Sequence, residues 1–176
     1  MDAARLLSLV DEACREAGTR WAVIGGIAMN AYGYARTTAD FDIAAEEEFR
    51  RALLAVLLRK GFEAVHDVEA FTNLLHPESA LGRLDVMWLE GTTAERVFAR
   101  ARALPGPGNV SVPVPAPEHL VAMKVRSVQS RPTRVFRDGA DLQHLLSLAE
   151  IDHDEVRGYF ERAGLDELYG RLRASG

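Results

Sequence analysis

The sequence predicts an α+β fold, in which a mixed β-sheet is flanked by helices and followed by a helical C-terminal region. Two observations support this class. Residues 1–115 alternate short apolar runs of strand type with helical segments. After Pro117, by contrast, four helical segments follow one another. We therefore expect an α/β core over residues 1–115 and a helical subdomain over residues 116–176 that completes a cleft.

The predicted elements follow from apolar spacing and from residues that end helices. Gly18 is a suitable C-terminal cap for the first helix. Glu46–Glu48 place negative charge in the first turn of a later helix, where it interacts favourably with the helix dipole. The expected helices cover residues 3–17, 27–32, 46–61, 92–103, 117–129, 136–149, 153–163 and 165–173, and the expected strands cover residues 21–24, 41–44, 62–65, 70–75, 83–89 and 110–114.

The composition excludes several classes of protein. Cys14 is the single cysteine, so an intrachain disulfide and a cysteine zinc cluster are both ruled out. A net charge of −5 argues against a general nucleic-acid coat protein. The longest apolar runs fall well short of the roughly 20 residues needed to cross a bilayer, and the N-terminus lacks the layout of a signal peptide. We therefore expect a cytoplasmic protein without a membrane partner.

Residues 21–43 combine a predicted phosphate site with a predicted metal site. The pair Gly25-Gly26 ends the first strand just before a helix, where bare backbone N–H groups can bind a phosphate. Asp40 and Asp42 alternate along the next strand and therefore share one face. Two carboxylates about 6–7 Å apart along a strand can converge on one divalent cation.

Asp85 allows two interpretations. The strand at 83–89 is apolar on both faces, which predicts burial on both sides and makes a lone carboxylate there costly. In one interpretation Asp85 lies at an exposed strand end and pairs with Arg83 or another arginine. In the other it joins Asp40 and Asp42 to form a binding site for two divalent cations.

Lys124 interrupts an apolar stripe of helical spacing. A lysine in such a position normally extends along the edge of the stripe to reach water. Alternatively its helix lines a cleft, and the ammonium group meets a phosphate or a leaving group. Asp138 and Asp141 start a later helix, where acidic residues are favourable on dipole grounds alone.

A basic segment of fourteen residues, which also includes Lys124, connects these two helices. It is formed by Arg126, Arg131, Arg134 and Arg137. Such a run is usually a solvated loop, but beside a phosphate site it could steer an anionic substrate, including a nucleic-acid backbone.

Taken together, these residues resemble the DNA polymerase beta-type nucleotidyltransferase superfamily. Gly-Gly-x-Ala followed by Arg-x-Thr-x-Asp-x-Asp looks like the minimal AbiEii-type branch, to which many toxins of toxin–antitoxin pairs belong. Small members of the superfamily also modify antibiotics such as lincosamides and aminoglycosides. The resemblance covers roughly residues 20–146. The matching positions are Gly25, Gly26, Ala28, Arg36, Thr38, Asp40, Asp42, Asp85, Lys124, Arg126, Asp138 and Asp141.

The resemblance implies an enzyme that transfers an NMP from an NTP to a hydroxyl acceptor, which could be tRNA or another RNA, a protein or a small molecule. It implies a two-ion Mg²⁺ site, with Mn²⁺ as a substitute, held by Asp40, Asp42 and Asp85. A toxin role would add an antitoxin partner. The nucleotide would contact Gly25, Gly26, Arg36, Thr38, Lys124, Asp138 and Asp141.

Within this resemblance, Asp40, Asp42, Asp85 and Lys124 are the expected catalytic residues. Asp85 could also accept the proton of the acceptor hydroxyl. The alternative is a non-catalytic nucleotide- or protein-binding module on the same fold. Loss of a metal-binding carboxylate would favour that alternative, and all three carboxylates are present.

Overall fold

The structure, a computed structural model, describes residues 1–174. The chain forms two compact units. The N-terminal unit spans Met1–Pro115, and the C-terminal unit begins at Ala116. None of the helices within residues 1–174 combines the length and the apolar character needed to span a bilayer.

The N-terminal unit contains both helices and strands. Its helices are α1 (Ala3–Ala17), α2 (Gly25–Ala31), α3 (Arg50–Arg59) and α4 (Gly91–Ala99). Its strands are β1 (Trp21–Val23), β2 (Asp40–Glu46), β3 (Glu63–Val68), β4 (Phe71–Leu75), β5 (Arg83–Leu89), β6 (Arg102–Pro105) and β7 (Ser111–Val114), and short 3₁₀ turns lie at Glu47–Phe49 and Pro107–Asn109.

Five of these strands form one mixed sheet in the order β1-β2-β5-β4-β3. The central pair, β2 and β5, runs parallel. The other neighbouring strands run antiparallel. Strands β6 and β7 form a separate antiparallel hairpin. The predicted α+β class with a mixed sheet is therefore confirmed.

One face of the central strands carries the core. Phe41 and Ile43 of β2 and Leu84 and Val86 of β5 are fully buried there. Helices α1 and α3 pack against each other and contribute further buried side chains. The opposite face of β5 is half-exposed at Asp85 and Met87, so the prediction that β5 is buried on both faces is wrong.

Two other local predictions are also wrong. The helix predicted at 92–103 ends at Ala99, and residues 102–105 form β6, because Leu104 pairs with Val112 across the hairpin. Glu46 ends β2 instead of starting a helix. Glu46 is only 5% exposed, and its side chain accepts a hydrogen bond from Arg20 (Nε–Oε1 2.9 Å). In both cases tertiary pairing outweighs local preference.

The C-terminal unit is helical throughout its described part. It consists of α5 (Pro117–Ser130), a 3₁₀ turn (Pro132–Arg134), α6 (Val135–Leu146), α7 (His153–Ala163) and α8 (Asp166–Ala174). Helix α5 packs against α6 and α7, and α8 packs against both of these. Asp152 caps the start of α7 by accepting hydrogen bonds from the N–H groups of Asp154 and Glu155. The predicted helical C-terminal region is therefore confirmed.

Candidate active site

The strand register gathers the three predicted carboxylates on one face of the sheet. Asp42 of β2 lies directly opposite Asp85 of β5. Asp40 precedes Asp42 by two residues and therefore leaves the same face. All three are half-buried. The alternating apolar residues of both strands fill the core on the other face, so the carboxylates are turned towards solvent.

The row of polar residues continues across the sheet. Asn73 of β4 lies opposite Asp85, and His66 of β3 lies opposite Asn73. Side chains at paired positions leave the same face of a sheet, so four strands present polar side chains in one line. The sequence did not single out Asn73 or His66 for this site, because only the strand order reveals their alignment with Asp85.

The glycine pair packs directly against this carboxylate face. Gly25 has a φ of +60°, and a Cβ atom there would lie 2.1 Å from Asp42 Oδ2. A Cβ atom on Gly26 would lie 2.6 Å from the Thr38 Cβ. The Ile24 N–H donates to the carbonyl oxygen of Asp42 at 2.9 Å, which fixes the turn to β2. Only glycines fit this close approach of backbone to Asp42 and Thr38.

Polar contacts order the loop between α2 and β2. The backbone N–H of Arg36 donates to Asn30 Oδ1 at 2.8 Å. The Thr38 hydroxyl donates to the carbonyl oxygen of Asp40 at 3.0 Å. An open cavity of about 540 Å³ is lined by Asn30, Gly33, Ala35, Arg36 and Thr37. Its volume lies in the range of small-molecule sites.

Arg83 is the basic residue observed at the carboxylate face. Its Nε donates to Asp85 Oδ1 at 2.7 Å, so the predicted pairing of Asp85 with Arg83 is present in the structure. This hydrogen bond, followed by the charges of Asp85, Asp40 and Asp42, raises the pKa of Arg83 above its ordinary value. Arg83 therefore stands in the electric field of all three carboxylates.

The carboxylates are not already arranged around a common point. Within residues 1–174, no three His, Cys, Asp or Glu side chains form a ready metal-binding group. Asp85 is instead bonded to Arg83. The donor set still fits Mg²⁺, which prefers a few carboxylate oxygens and the phosphates of a substrate. The glycine turn leaves Asp42 room that any Cβ at Gly25 would take.

A second charged cluster lies inside the C-terminal unit. The Lys124 Nζ donates to Asp141 Oδ2 at 2.5 Å and to Asp138 Oδ1 at 3.3 Å. The Ser127 hydroxyl donates to Asp138 Oδ2 at 3.2 Å. The side chains of Lys124, Asp138 and Asp141 are only 12%, 8% and 3% exposed. They join α5 to α6, so the interpretation of Lys124 as an edge lysine that reaches water is wrong. Asp138 does lie in the first turn of α6, but both carboxylates also hold the Lys124 ammonium group.

The basic segment lies at the corner between α5 and α6. Arg126, Arg131 and Arg137 are exposed, and Arg134 is half-buried. Phe136, between Arg134 and Arg137, is 90% exposed. The spacing of apolar residues in α6 does not predict that Phe136 is exposed.

No protein-family model matches this chain. No curated protein matches it either.

Solved structures do match it. The solution structure of the antibiotic-resistance factor ANT(2'')-Ia gives a TM-score of 0.60 at 17% identity, over 99% of this chain and 92% of that chain. The crystal structure of ANT(2'')-Ia in complex with adenylyl-2''-tobramycin gives 0.59 at 17% identity, over 97% and 94% of the two chains. Lincomycin-bound LnuA, a lincosamide antibiotic adenylyltransferase, gives 0.55 at 15% identity, over 81% and 96%.

These similarities extend over most of each chain, and at such low sequence identity they report on the fold. The fold agrees with the residue pattern from Gly25 to Asp42. The AbiEii-type branch stays a prediction, since none of the three structures is described as such a protein. The chain therefore has the nucleotidyltransferase fold, as its glycine pair and its spaced aspartates predicted.

Proposed function

We propose that this protein is a nucleotidyltransferase that moves an NMP from an NTP to a hydroxyl group of an acceptor. A fold alone does not establish an activity. The observation that carries the proposal is the local geometry: Asp42 lies opposite Asp85 in a parallel register, and the Gly25 backbone lies against the Asp42 carboxylate. This arrangement supports an enzyme over a binding module, for which a solvent-facing carboxylate trio has no evident use.

The glycine turn is the proposed donor site. The triphosphate of the NTP would lie over Gly25 and Gly26, where no side chain separates phosphate oxygens from backbone N–H groups. Helix α2 has only seven residues, so the proposal depends on this bare backbone more than on a helix dipole. Arg36 and Thr38 belong to the loop that borders the turn, and the cavity beside that loop would receive the rest of the nucleotide.

The carboxylates are the proposed metal ligands. Asp40 and Asp42 would hold Mg²⁺ on the phosphates, and with Asp85 they would hold a second ion; Mn²⁺ could replace either. When bound, such ions neutralise phosphate charge and favour deprotonation of the acceptor hydroxyl. Asp85 would accept that proton. The acceptor oxygen then forms a bond to the α-phosphorus, the bond from that phosphorus to the bridging oxygen breaks, and pyrophosphate leaves with the electron pair.

One charged cluster of the C-terminal unit, formed by Lys124, Asp138 and Asp141, is also part of the proposed site. We expect Lys124, Asp138 and Asp141 to contribute to nucleotide binding. The two carboxylates already hold the Lys124 ammonium group, so a phosphate of the nucleotide would have to replace one of them.

The acceptor proposed first is a hydroxyl-bearing small molecule. ANT(2'')-Ia is described in complex with adenylyl-2''-tobramycin, and LnuA with lincomycin. Both are similar to this chain along most of their length. RNA is the second acceptor class, supported by the exposed arginines of the α5–α6 corner. A toxin role with an antitoxin partner remains a prediction.

Transfer of label from α-³²P-NTPs tests the proposal. Each of the four NTPs is incubated with the protein, Mg²⁺ or Mn²⁺, and tobramycin, lincomycin or total tRNA. Wild type should label at least one acceptor, and Asp42→Asn should lower that transfer by at least 100-fold. Asp11→Asn is the matched control, because Asp11 is an exposed residue of α1 that pairs with Arg15.

The same samples separate the two candidate functions. Metal-dependent NTP binding without transfer to any acceptor would favour the non-catalytic nucleotide-binding module. Absence of both NTP binding and transfer in the wild type would refute the enzyme proposal. Equal transfer by wild type and Asp42→Asn would refute the assignment of the site.

A further inference from the structure

Arg83 lies among the three carboxylates of the proposed active site. It stands directly opposite Asp40 in the β2–β5 register. It also precedes Asp85 by two residues, so its side chain leaves the same face of the sheet. Its Nε donates to Asp85 Oδ1 at 2.7 Å. A positive charge of the chain itself therefore already neutralises part of the carboxylate group.

This pair is not held together by burial. Residues two apart on a strand are separated by roughly 6.5–7 Å, so the Arg83 side chain has to fold back along β5 instead of extending into water. Its side chain is 45% exposed and that of Asp85 is 22% exposed, so water could replace either partner. Three like charges on one face repel each other, and a nearby cation lowers this cost. The charge of the whole cluster accounts for the position of Arg83.

We propose that Arg83 is the resident counter-ion of the metal site, which restrains Asp85 in the metal-free protein and has to release it before Asp85 can bind an ion. This inference rests on the proposed nucleotidyltransferase function. A carboxylate oxygen that accepts a charge-assisted hydrogen bond is less available to a metal. The Arg83–Asp85 pair and metal binding therefore oppose each other, and by linkage any change that weakens the pair strengthens metal binding.

Two observations agree with such a competition. The register places Asp42 and Asp85 on neighbouring strands at the same level. Yet within residues 1–174 no three acidic or imidazole side chains form a ready metal-binding group. The backbone register brings the two carboxylates to neighbouring positions, while the hydrogen bond from Arg83 keeps Asp85 from completing a metal-binding group. This arrangement accounts for both observations.

Mn²⁺ titration of the full chain, with free Mn²⁺ measured by electron paramagnetic resonance and no nucleotide present, tests the inference. Arg83→Gln should bind Mn²⁺ about fivefold more tightly than wild type, the factor expected from loss of one partly exposed ion pair. Its melting temperature without metal should fall, and Mn²⁺ should raise that temperature by more than in wild type. Arg59→Gln is the control, because Arg59 pairs with Glu16 at an exposed position of the same unit.

A second variant separates charge from shape. Arg83→Lys keeps the positive charge but lacks the Nε–H group that donates to Asp85. Its Mn²⁺ affinity should therefore lie between those of wild type and Arg83→Gln. A gain as large as that of Arg83→Gln would contradict the role of charge.

The outcomes distinguish this inference from the proposed function. Unchanged or weaker Mn²⁺ binding by Arg83→Gln, with measurable binding by wild type, would overturn the counter-ion role and leave the nucleotidyltransferase proposal intact. Absence of Mn²⁺ binding in wild type and in both Arg83 variants, with and without ATP, would overturn both.

Discussion

Replacing Gly25 by alanine should damage the site more than the fold. The added Cβ would lie 2.1 Å from Asp42 Oδ2 and 2.7 Å from Asp42 Cγ. Real Cβ contacts are more than 3.0 Å long, so one of the two groups has to move by about 1 Å. Asp42 is half-buried at a solvent-facing position, and rotation of its carboxylate relieves the contact without unfolding the sheet.

The stability cost of this substitution comes mainly from the backbone. Gly25 has a φ of +60°, and a non-glycine residue in that region costs roughly 1–2 kcal/mol. For a chain of this size we expect a fall in melting temperature of about 2–8 °C. Binding of Mn²⁺ and of NTP should fall by at least tenfold, because Asp42 is displaced from the position opposite Asp85.

Gly18→Ala provides the matched control. Gly18 has a φ of +75°, and no atom lies within 4 Å of a Cβ built there. It belongs to the same unit, so the backbone cost is similar while the site is untouched. Thermal melts and Mn²⁺ titrations of the two variants should show similar stability losses but different metal affinities. Equal Mn²⁺ affinity in Gly25→Ala, Gly18→Ala and wild type would refute the role of the glycine turn.

Two other substitutions test the charged contacts. Lys124→Met should lower the free energy of unfolding by about 3–5 kcal/mol, because it leaves Asp138 and Asp141 buried without their cation. Urea titration should show that adding Asp138→Asn and Asp141→Asn restores part of this loss of stability. If the added substitutions restored no stability, the ion-pair role of Lys124 would be contradicted. Burial alone would raise the pKa of Glu46, but hydrogen bonds from the Arg20 side chain and backbone outweigh it and lower that pKa below its ordinary value of 4.5. Because the pKa is lower in the folded protein, this contribution is present above about pH 4.5 and is lost as the pH falls through the folded-state value. Urea titrations from about pH 6 to about pH 3 should therefore show a larger loss of stability in wild type than in Glu46→Gln, and equal losses would contradict the assignment.

The parts of the site that depend on neighbouring residues could be predicted from sequence. Strand alternation places Asp40 and Asp42 on one face, and a glycine pair before a helix marks a tight turn. Both predictions depend only on the sequence of residues 21–43. In the structure the glycine turn lies against the side chain of Asp42.

The parts that depend on strand order could not be predicted. Strand β5 pairs with β2 although β3 and β4 lie between them in the chain. No local sequence pattern around Asp85 shows that its strand will pair with the strand of Asp42 and not with another strand. The resemblance to a superfamily supplied that expectation, whereas the restraint of Asp85 by Arg83 became visible only with the side chains in place.

Helix ends and buried charges also depend partly on neighbouring residues and partly on contacts between distant residues. The helical pattern placed Lys124 on an apolar stripe, but its partners lie 14 and 17 residues further along, beyond the turn at Pro132–Arg134. Residues 102–105 have no strong strand signal and form β6 only because β7 is available for pairing. Contacts of this range depend on the whole fold and leave no periodic trace in the sequence.

The parallel pairing of β2 with β5 also links activity to folding. Asp42 and Asp85 meet only after a stretch containing α3, β3 and β4 has closed into a loop. Closing such a loop costs conformational entropy before any pairing offsets it. The proposed metal site therefore cannot be complete in a partly folded chain. Metal affinity should rise together with hydrogen-exchange protection of the β2 and β5 amides during refolding, so that a bound ion reports the completed centre of the sheet.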